Sequence, residues 1–336
     1  MQMENNIIDC FYEEVELPVA CFINELSIDN SNRYNLHNSI KNIDDDVLVS
    51  TLIDLKNLGF NYLNFESNWF YNYDLFKIFS KAGFLKIHKF AYSRLNSDGY
   101  LPADLLYKLR KYHIDVVLDI GKLSEENFQF VKRKIRHLLK DDSIFIKADF
   151  YKYSFKDIDL FLNNLPFSHI KNFIIEPMFD LHPSSKSNKI YPNNFLRLND
   201  CSKVWRSINK KKKLIGNINL SFSYHIKSTH LLREHPCNAY MCAGKDCHAH
   251  KSGFPRRLFF MQDGSVLPES PLIHSCKIGN LNDVGIKDLL RDYFNTSQYK
   301  KFKKICRVVF NKYVINFPHP IIPWVNILVE CNNKLV

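Results

Sequence analysis

The chain has 336 residues, 46% hydrophobic and 24% charged, enough to bury a sizeable core in one large domain or two smaller ones. Lys and Arg total 46 against 35 Asp and Glu, a formal charge of +11 that attracts anionic partners. The basic runs at Lys108–His113, Lys132–His137, Lys210–Lys213 and Lys300–Lys304 come with no zinc-finger, basic-zipper or RNA-binding pattern, so no nucleic-acid partner is expected. Ten glycines and no GxGxxG or GxxxxGK[ST] exclude the usual phosphate loops.

The first residues are polar and acidic, unlike a secretory leader. Pro318, Pro320 and Pro323 break the most apolar stretch, so a cytoplasmic protein with no membrane partner is expected. Nine cysteines in a reducing compartment point to metal, cluster or buried thiols rather than disulfides.

An N-terminal extension, 1–19, precedes the first strand, predicted at Ala20–Ile28. Apolar spacing predicts a helix at Asp44–Leu58, stopped by Gly59, then a strand at Tyr62–Glu66. A helix at Asp74–Ala82 ends at Gly83, and a strand follows at Phe84–Ala91. Pro102 suits the first turn of a helix running to Tyr112. IDVVLDI, Ile114–Ile120, reads as a strand covered on both faces, and Ser124 as the cap of the next helix.

Strands at Ser143–Ala148 and Phe173–Met178, a helix at Asn194–Asn209 and a strand at Leu214–Phe222 complete the series. This alternation predicts parallel βαβ units: a partial (β/α)6 barrel, or an open doubly wound sheet, over 20–229.

From about residue 230 the texture changes. Cys237, Cys242, Cys247, His248 and His250 crowd into CNAYMCAGKDCHAHKSG, with Cys276 and Cys306 downstream. Thiolate and imidazole are the preferred ligands of zinc, and thiolate of iron–sulfur clusters. The spacing CxxxxCxxxxC is neither a zinc ribbon nor a ferredoxin run, and unligated thiols would read the same way. RRLFFMQDGSVLPES predicts a hairpin turning at Asp263-Gly264, and an amphipathic helix carries Ile286, Leu289, Leu290 and Phe294. The tail, 307–336, reads as irregular segments with one or two short strands.

The order Cys242-Ala243-Gly244, Asp263-Gly264-Ser265-Val266-Leu267-Pro268, Ile278-Gly279-Asn280 and Cys306 resembles the SPASM or twitch domain of radical-SAM peptide-modifying enzymes. The resemblance implies an α/β fold, a partial (β/α)6 TIM-like barrel with a small C-terminal SPASM/twitch-like Cys-rich domain at 230–306.

The departures bear on chemistry. In the family, the loop after the first strand carries CxxxCxxC for the cluster that cleaves S-adenosylmethionine. Here that loop, DNSNRYNLHN, has no cysteine. Where the family has Gly-Gly-Glu after the second strand, the corresponding stretch is Asn64-Phe65-Glu66-Ser67-Asn68-Trp69, with no glycine pair and Trp69 about where the glutamate should be, and Glu269 replaces a second-cluster cysteine after the hairpin. S-adenosylmethionine is therefore not an expected cofactor. One auxiliary iron–sulfur cluster or a zinc ion could draw ligands from Cys237, Cys242, Cys247, Cys276 and Cys306, with His248 or His250 as substitutes. Adjacent Cys247 and His248 do not readily face one ion.

The resemblance implies a pseudo-radical-SAM protein of ribosomal peptide maturation, whose partner is a precursor peptide or a peptide-modifying protein. The alternative is a peptide-modifying enzyme using a metal or the strand ends without radical chemistry. Parallel barrels place reactive groups at the C-terminal ends of their strands. Asp29, Glu66, Tyr92, Arg94, Asp119, Asp149 and Glu176 are the candidates there, and no catalytic residue is singled out. For holding a peptide or anion, Arg94, Glu176, Arg256 and Arg257 are the candidates, because guanidinium groups suit carboxylates.

Overall fold

A computed structural model describes residues 19–23, 43–60, 62–66, 69–70, 73–83, 88–94, 107–109, 111–122, 144–156, 172–180, 195–214, 219–223, 225–234, 257–270 and 272–335. The elements in chain order are β1 (Val19–Ile23), α1 (Asp45–Asn57), β2 (Tyr62–Glu66), α2 (Leu75–Lys81), β3 (His88–Arg94), β4 (Ile114–Lys122), β5 (Ile144–Phe150) and β6 (Asn172–Pro177). Then come α3 (Cys201–Leu214), β7 (Asn219–Phe222), β8 (Lys227–Ser228), α4 (Thr229–Glu234), β9 (Arg257–Met261), β10 (Ser265–Pro268) and β11 (Gly279–Asn280). The chain closes with α5 (Ile286–Tyr293), α6 (Ser297–Val309), a π-helical turn (Phe310–Val314), β12 (Ile321–Ile322) and α7 (Trp324–Leu335).

Ten strands form one sheet in the order β11-β10-β9-β1-β2-β3-β4-β5-β6-β7. All neighbours from β9 through β1 to β7 are parallel, and only β10 and β11 run antiparallel. The hairpin expected at the centre of the C-terminal region is therefore built into the main sheet, with Val19–Ile23 in register with Arg257–Met261.

Alternation separates two faces. Ala20, Phe22, Leu63, Phe65, Ile114, Val116, Leu118, Ile146, Ala148, Phe173, Ile175, Leu220, Leu258 and Phe260 lie on one face. They pack against Leu48, Leu52 and Leu55 of α1, Ile78 and Phe79 of α2, and Val204 and Ile208 of α3. Register aligns the aromatic rings: Phe22 stacks on Phe65 at 4.3 Å and on Phe260 at 4.8 Å. Each such buried ring contributes about 1.5–3 kcal/mol. The same core continues through Ile273, Cys276, Leu290, Phe302, Ile305 and Trp324, so the C-terminal elements share it.

Several expected boundaries move. α3 begins at Cys201 rather than Asn194, because Leu196 bridges Phe179 and Arg197 donates its backbone N–H to Asp200 at 2.8 Å, holding the entry extended. The helix expected after the hairpin is two, α5 and α6, divided where the Thr296 hydroxyl accepts the Tyr299 N–H and caps α6. The tail is more ordered than expected. α7 is a twelve-residue helix, and β12 pairs with β8, bringing His319 onto Ser202 at 2.6 Å. The expected helix from Ser124 and Asp29 lie outside the described residues.

Candidate functional site

The second face of the sheet is charged toward the C-terminal ends of its strands. Two rungs of the parallel ladder explain which residues meet. Asp119 of β4 is in register with Lys147 of β5 and Arg94 of β3, and Lys147 with Ile174 of β6, itself opposite Ser221 of β7. One pleat further along, Asp149 of β5 is in register with Glu176 of β6.

A bulge in β4 lets Lys122 reach the second rung. The bulge is formed at Gly121, whose φ of 66° suits glycine, and its N–H donates to Asp119 Oδ1 at 2.8 Å.

Lys147 is the centre of this cluster. Its ammonium lies 3.3 Å from Asp119 Oδ2 and in contact with Glu176 Oε2. Burial opposes the Lys147 charge, but Glu176 foremost, then Asp119 and Asp149, hold its pKa well above the ordinary lysine value. Lys147 is thus a fixed cation, not a nucleophilic amine.

The other Glu176 oxygen lies 3.1 Å from His225 Nε2, just past β7. Burial, then Lys147 and Arg257, outweigh Glu176 and push the His225 pKa down to about 4, so the imidazole is neutral near pH 7. Ser221 of β7 and Ser223 just past its end alternate with Leu220 and Phe222. Their hydroxyls are buried with no hydrogen-bond partner among the described residues.

A second ion pair stands nearby. Lys227 lies 3.7 Å from Glu269 and over the Trp324 ring at 5.5 Å. Glu269 is buried and adopts φ 57°, in the left-handed backbone region.

Of the sequence candidates, Asp119, Asp149 and Glu176 are thus drawn together around Lys147. Arg94 and Tyr92 lie on β3, Arg94 in register with Asp119, and Glu66 ends β2. Arg257 is buried at the start of β9, close enough to His225 to depress it, and Arg256 lies outside the described residues. Cys237, Cys242, Cys247, His248 and His250 also lie outside the described residues.

Cys276 and Cys306 are both buried near Tyr293, whose hydroxyl donates to the Cys276 carbonyl at 3.1 Å. Burial raises the Cys276 thiol pKa. Among the described residues no group of three His, Cys, Asp or Glu could hold a metal ion. Trp69 is fully buried against Phe22 and Tyr73, packed as core.

Lys147, His225 and Lys227 were not singled out from the sequence. Lys147 carries a signal in hindsight: a lysine inside the apolar strand IFIKADF has to meet a carboxylate. His225 sits in the connection after β7 and Lys227 in the two-residue β8, and neither carries one.

No family model matches the chain, and no curated protein matches it. Solved structures do. Native anSMEcpe with bound AdoMet and a Cp18Cys peptide is 14% identical over 94% of this chain and 96% of that one, with a TM-score of 0.56. SuiB of Streptococcus suis is 14% identical over 86% of this chain and 68% of that one, with a TM-score of 0.56. At this identity the likeness is one of fold. No helix among the described residues is long and apolar enough to cross a membrane. The protein has a radical-SAM-like fold, a mixed α/β architecture around a parallel sheet.

Proposed function

We propose that this protein acts in ribosomal peptide maturation as a peptide-binding or partner component that does no radical chemistry. The observation that carries the reading is the donor set. The chain has no cysteine between Cys21 and Cys201, so the loop after β1 cannot supply the three thiolates a four-iron cluster needs. Trp69 supports it as well, since a core indole offers no carboxylate to an amino group. The residues present therefore do not fit S-adenosylmethionine cleavage, and no step runs through it.

What remains is a charged site at the strand ends. Lys147 and Glu176 neutralise each other there, and the neutral His225, 25% exposed, offers a hydrogen-bonding group to a peptide. The peptide found with anSMEcpe supports this choice of ligand. The cysteine- and histidine-rich segment, Cys237 to His250 with Cys276 and Cys306, is proposed as a structural zinc or auxiliary-cluster site.

A second reading, a peptide-modifying enzyme without radical chemistry, is favoured by His225. The imidazole is oriented by Glu176 at 3.1 Å and stays neutral near pH 7, so it can donate or accept a hydrogen bond at a reacting group, while its pKa of about 4 makes it a weak base.

The test is anaerobic reconstitution with iron and sulfide, followed by S-adenosylmethionine and dithionite. No 5′-deoxyadenosine above the protein-free control is expected, and catalytic formation of it would overturn the proposal. In parallel, a fluorescein-labelled acidic peptide should bind saturably; failure to bind would remove the peptide-binding role. A mass change in that peptide, produced by wild type and lost in His225→Gln, would establish the second reading instead.

A further inference from the structure

α6 presents Lys300, Lys303, Lys304 and Arg307 at i, i+3, i+4 and i+7, all exposed on one face of the helix. The opposite face, Tyr299, Phe302, Ile305, Cys306 and Val309, is buried in the core, so the four cations ride on an immobilised support. Among the described residues none of the four has an ion-pair partner. Some exposed basic side chains elsewhere are answered, Arg291 by Asp288 at 2.8 Å and Lys81 by Asp46 at 3.4 Å, whereas the exposed Lys77, Lys108 and Lys287 form no such row. From Ser297 to Val329 the chain has no Asp or Glu at all.

Arg307 lies in the last turn, where a cation complements the dipole, but the rest of the arrangement works against the helix that carries it. The first turn of α6 has no acidic residue, and Lys300 and Lys301 stand close to the positive end of its dipole. Like charges three and four residues apart repel along the stripe. A row of self-repelling charges on a rigid, well-capped helix is relieved when an anionic chain lies along it. Lys300 and Arg307 are about 10 Å apart along the axis, beyond the roughly 8 Å Debye length at physiological salt, so one extended polyanion can bridge charges that solvent screens separately.

The exposed Val308, one turn from Lys304, adds an apolar contact beside the row. The exposed face of α6 carries no aromatic side chain on which bases could stack, which favours an acidic peptide over single-stranded nucleic acid.

We propose that the α6 stripe Lys300/Lys303/Lys304/Arg307 is a docking surface for an acidic peptide segment of the substrate or partner protein. This rests on the peptide-binding reading above and adds to it a second contact, apart from the strand-end site.

The experiment measures fluorescence anisotropy of a labelled Glu-Ala repeat peptide with the full chain. Wild type is compared with K300Q/K303Q/K304Q/R307Q, which keeps good helix formers, and with the corresponding quadruple Glu variant; circular dichroism and melting report folding. The expected result is at least about tenfold weaker binding for the neutral variant, loss of binding for the Glu variant, and marked weakening of wild type by salt. Equal binding by wild type and a folded neutral variant would overturn this surface and leave the peptide-binding reading in place. No binding by wild type would overturn both. Tighter binding of oligo-dT or of phosphatidylserine vesicles than of the peptide would assign the stripe to another partner.

Discussion

Replacing Lys147 by methionine keeps the volume of the side chain and removes its charge. The ammonium lies among Asp119, Asp149 and Glu176 on their shared face, in contact with Glu176 and 3.3 Å from Asp119. The Lys147 side chain is only 20% exposed, so water compensates little for its loss. Removing one partner of a buried ion pair costs about 3–5 kcal/mol. With an unfolding entropy of about 2.1 cal/mol/K per residue over 336 residues, that is a fall in Tm of roughly 4–7 °C.

Two further observables separate this account from a simple packing defect. Lowering the pH protonates a stranded Glu176, so the deficit relative to wild type should shrink in acid. His225 should change as well, because Lys147 no longer repels its proton and Glu176 is left to attract it. The His225 pKa should rise from about 4 toward its ordinary value of 6.5, read by NMR titration of the imidazole. A Lys147→Met protein that melts within about 1 °C of wild type, with His225 titrating unchanged, would refute the network.

The remaining predictions concern pH, backbone and packing. The folded protein holds His225 at about 4 against 6.5 when unfolded, so it resists protonation. Stability is therefore complete above pH 6.5 and declines as pH falls toward 4, by about 3 kcal/mol from this group. His225→Gln should flatten that limb in denaturant titrations, and an unchanged acid limb would contradict the assignment. Glu269→Gly and Glu269→Ala both lose the Lys227 pair, but only alanine keeps a Cβ at φ 57°. The glycine variant should therefore be more stable by about 1 kcal/mol in chemical denaturation, and the reverse order would exclude backbone strain there. A Cβ at Gly279 would lie 2.4 Å from Leu289 Cδ2. Gly279→Ala should cost about 1–3 kcal/mol, and adding Leu289→Ala should recover part of it; strictly additive losses would contradict the contact.

The local chemistry of the chain was enough to locate most regular elements. Tyr62–Glu66 has the expected bounds, and Gly59 and Gly83 stop their helices with φ of 88° and 67°. Asp263-Gly264 turns the hairpin as its dipeptide demands, with Gly264 at φ 86°. β3 runs on to Arg94, past the expected end at Ala91, because hydrophobic runs locate a strand without setting its ends; residues 84–87 lie outside the described residues. The rim carboxylates Asp119, Asp149 and Glu176 were legible too, since each interrupts an apolar strand near its C-terminal end.

What no local pattern contains is which strands become neighbours. Parallel pairing brings residues decades apart in sequence onto one rung, so Asp119, Lys147, Glu176 and His225 meet only when β4, β5, β6 and the turn after β7 stand side by side. The joining of β9 to β1, the Lys227–Glu269 pair and the docking of the tail through β12 on β8 are decided in the same way. The missing cysteines are a matter of composition and can be read directly from the chain. The ionic centre depends on burial and register, and those exist only in the folded sheet.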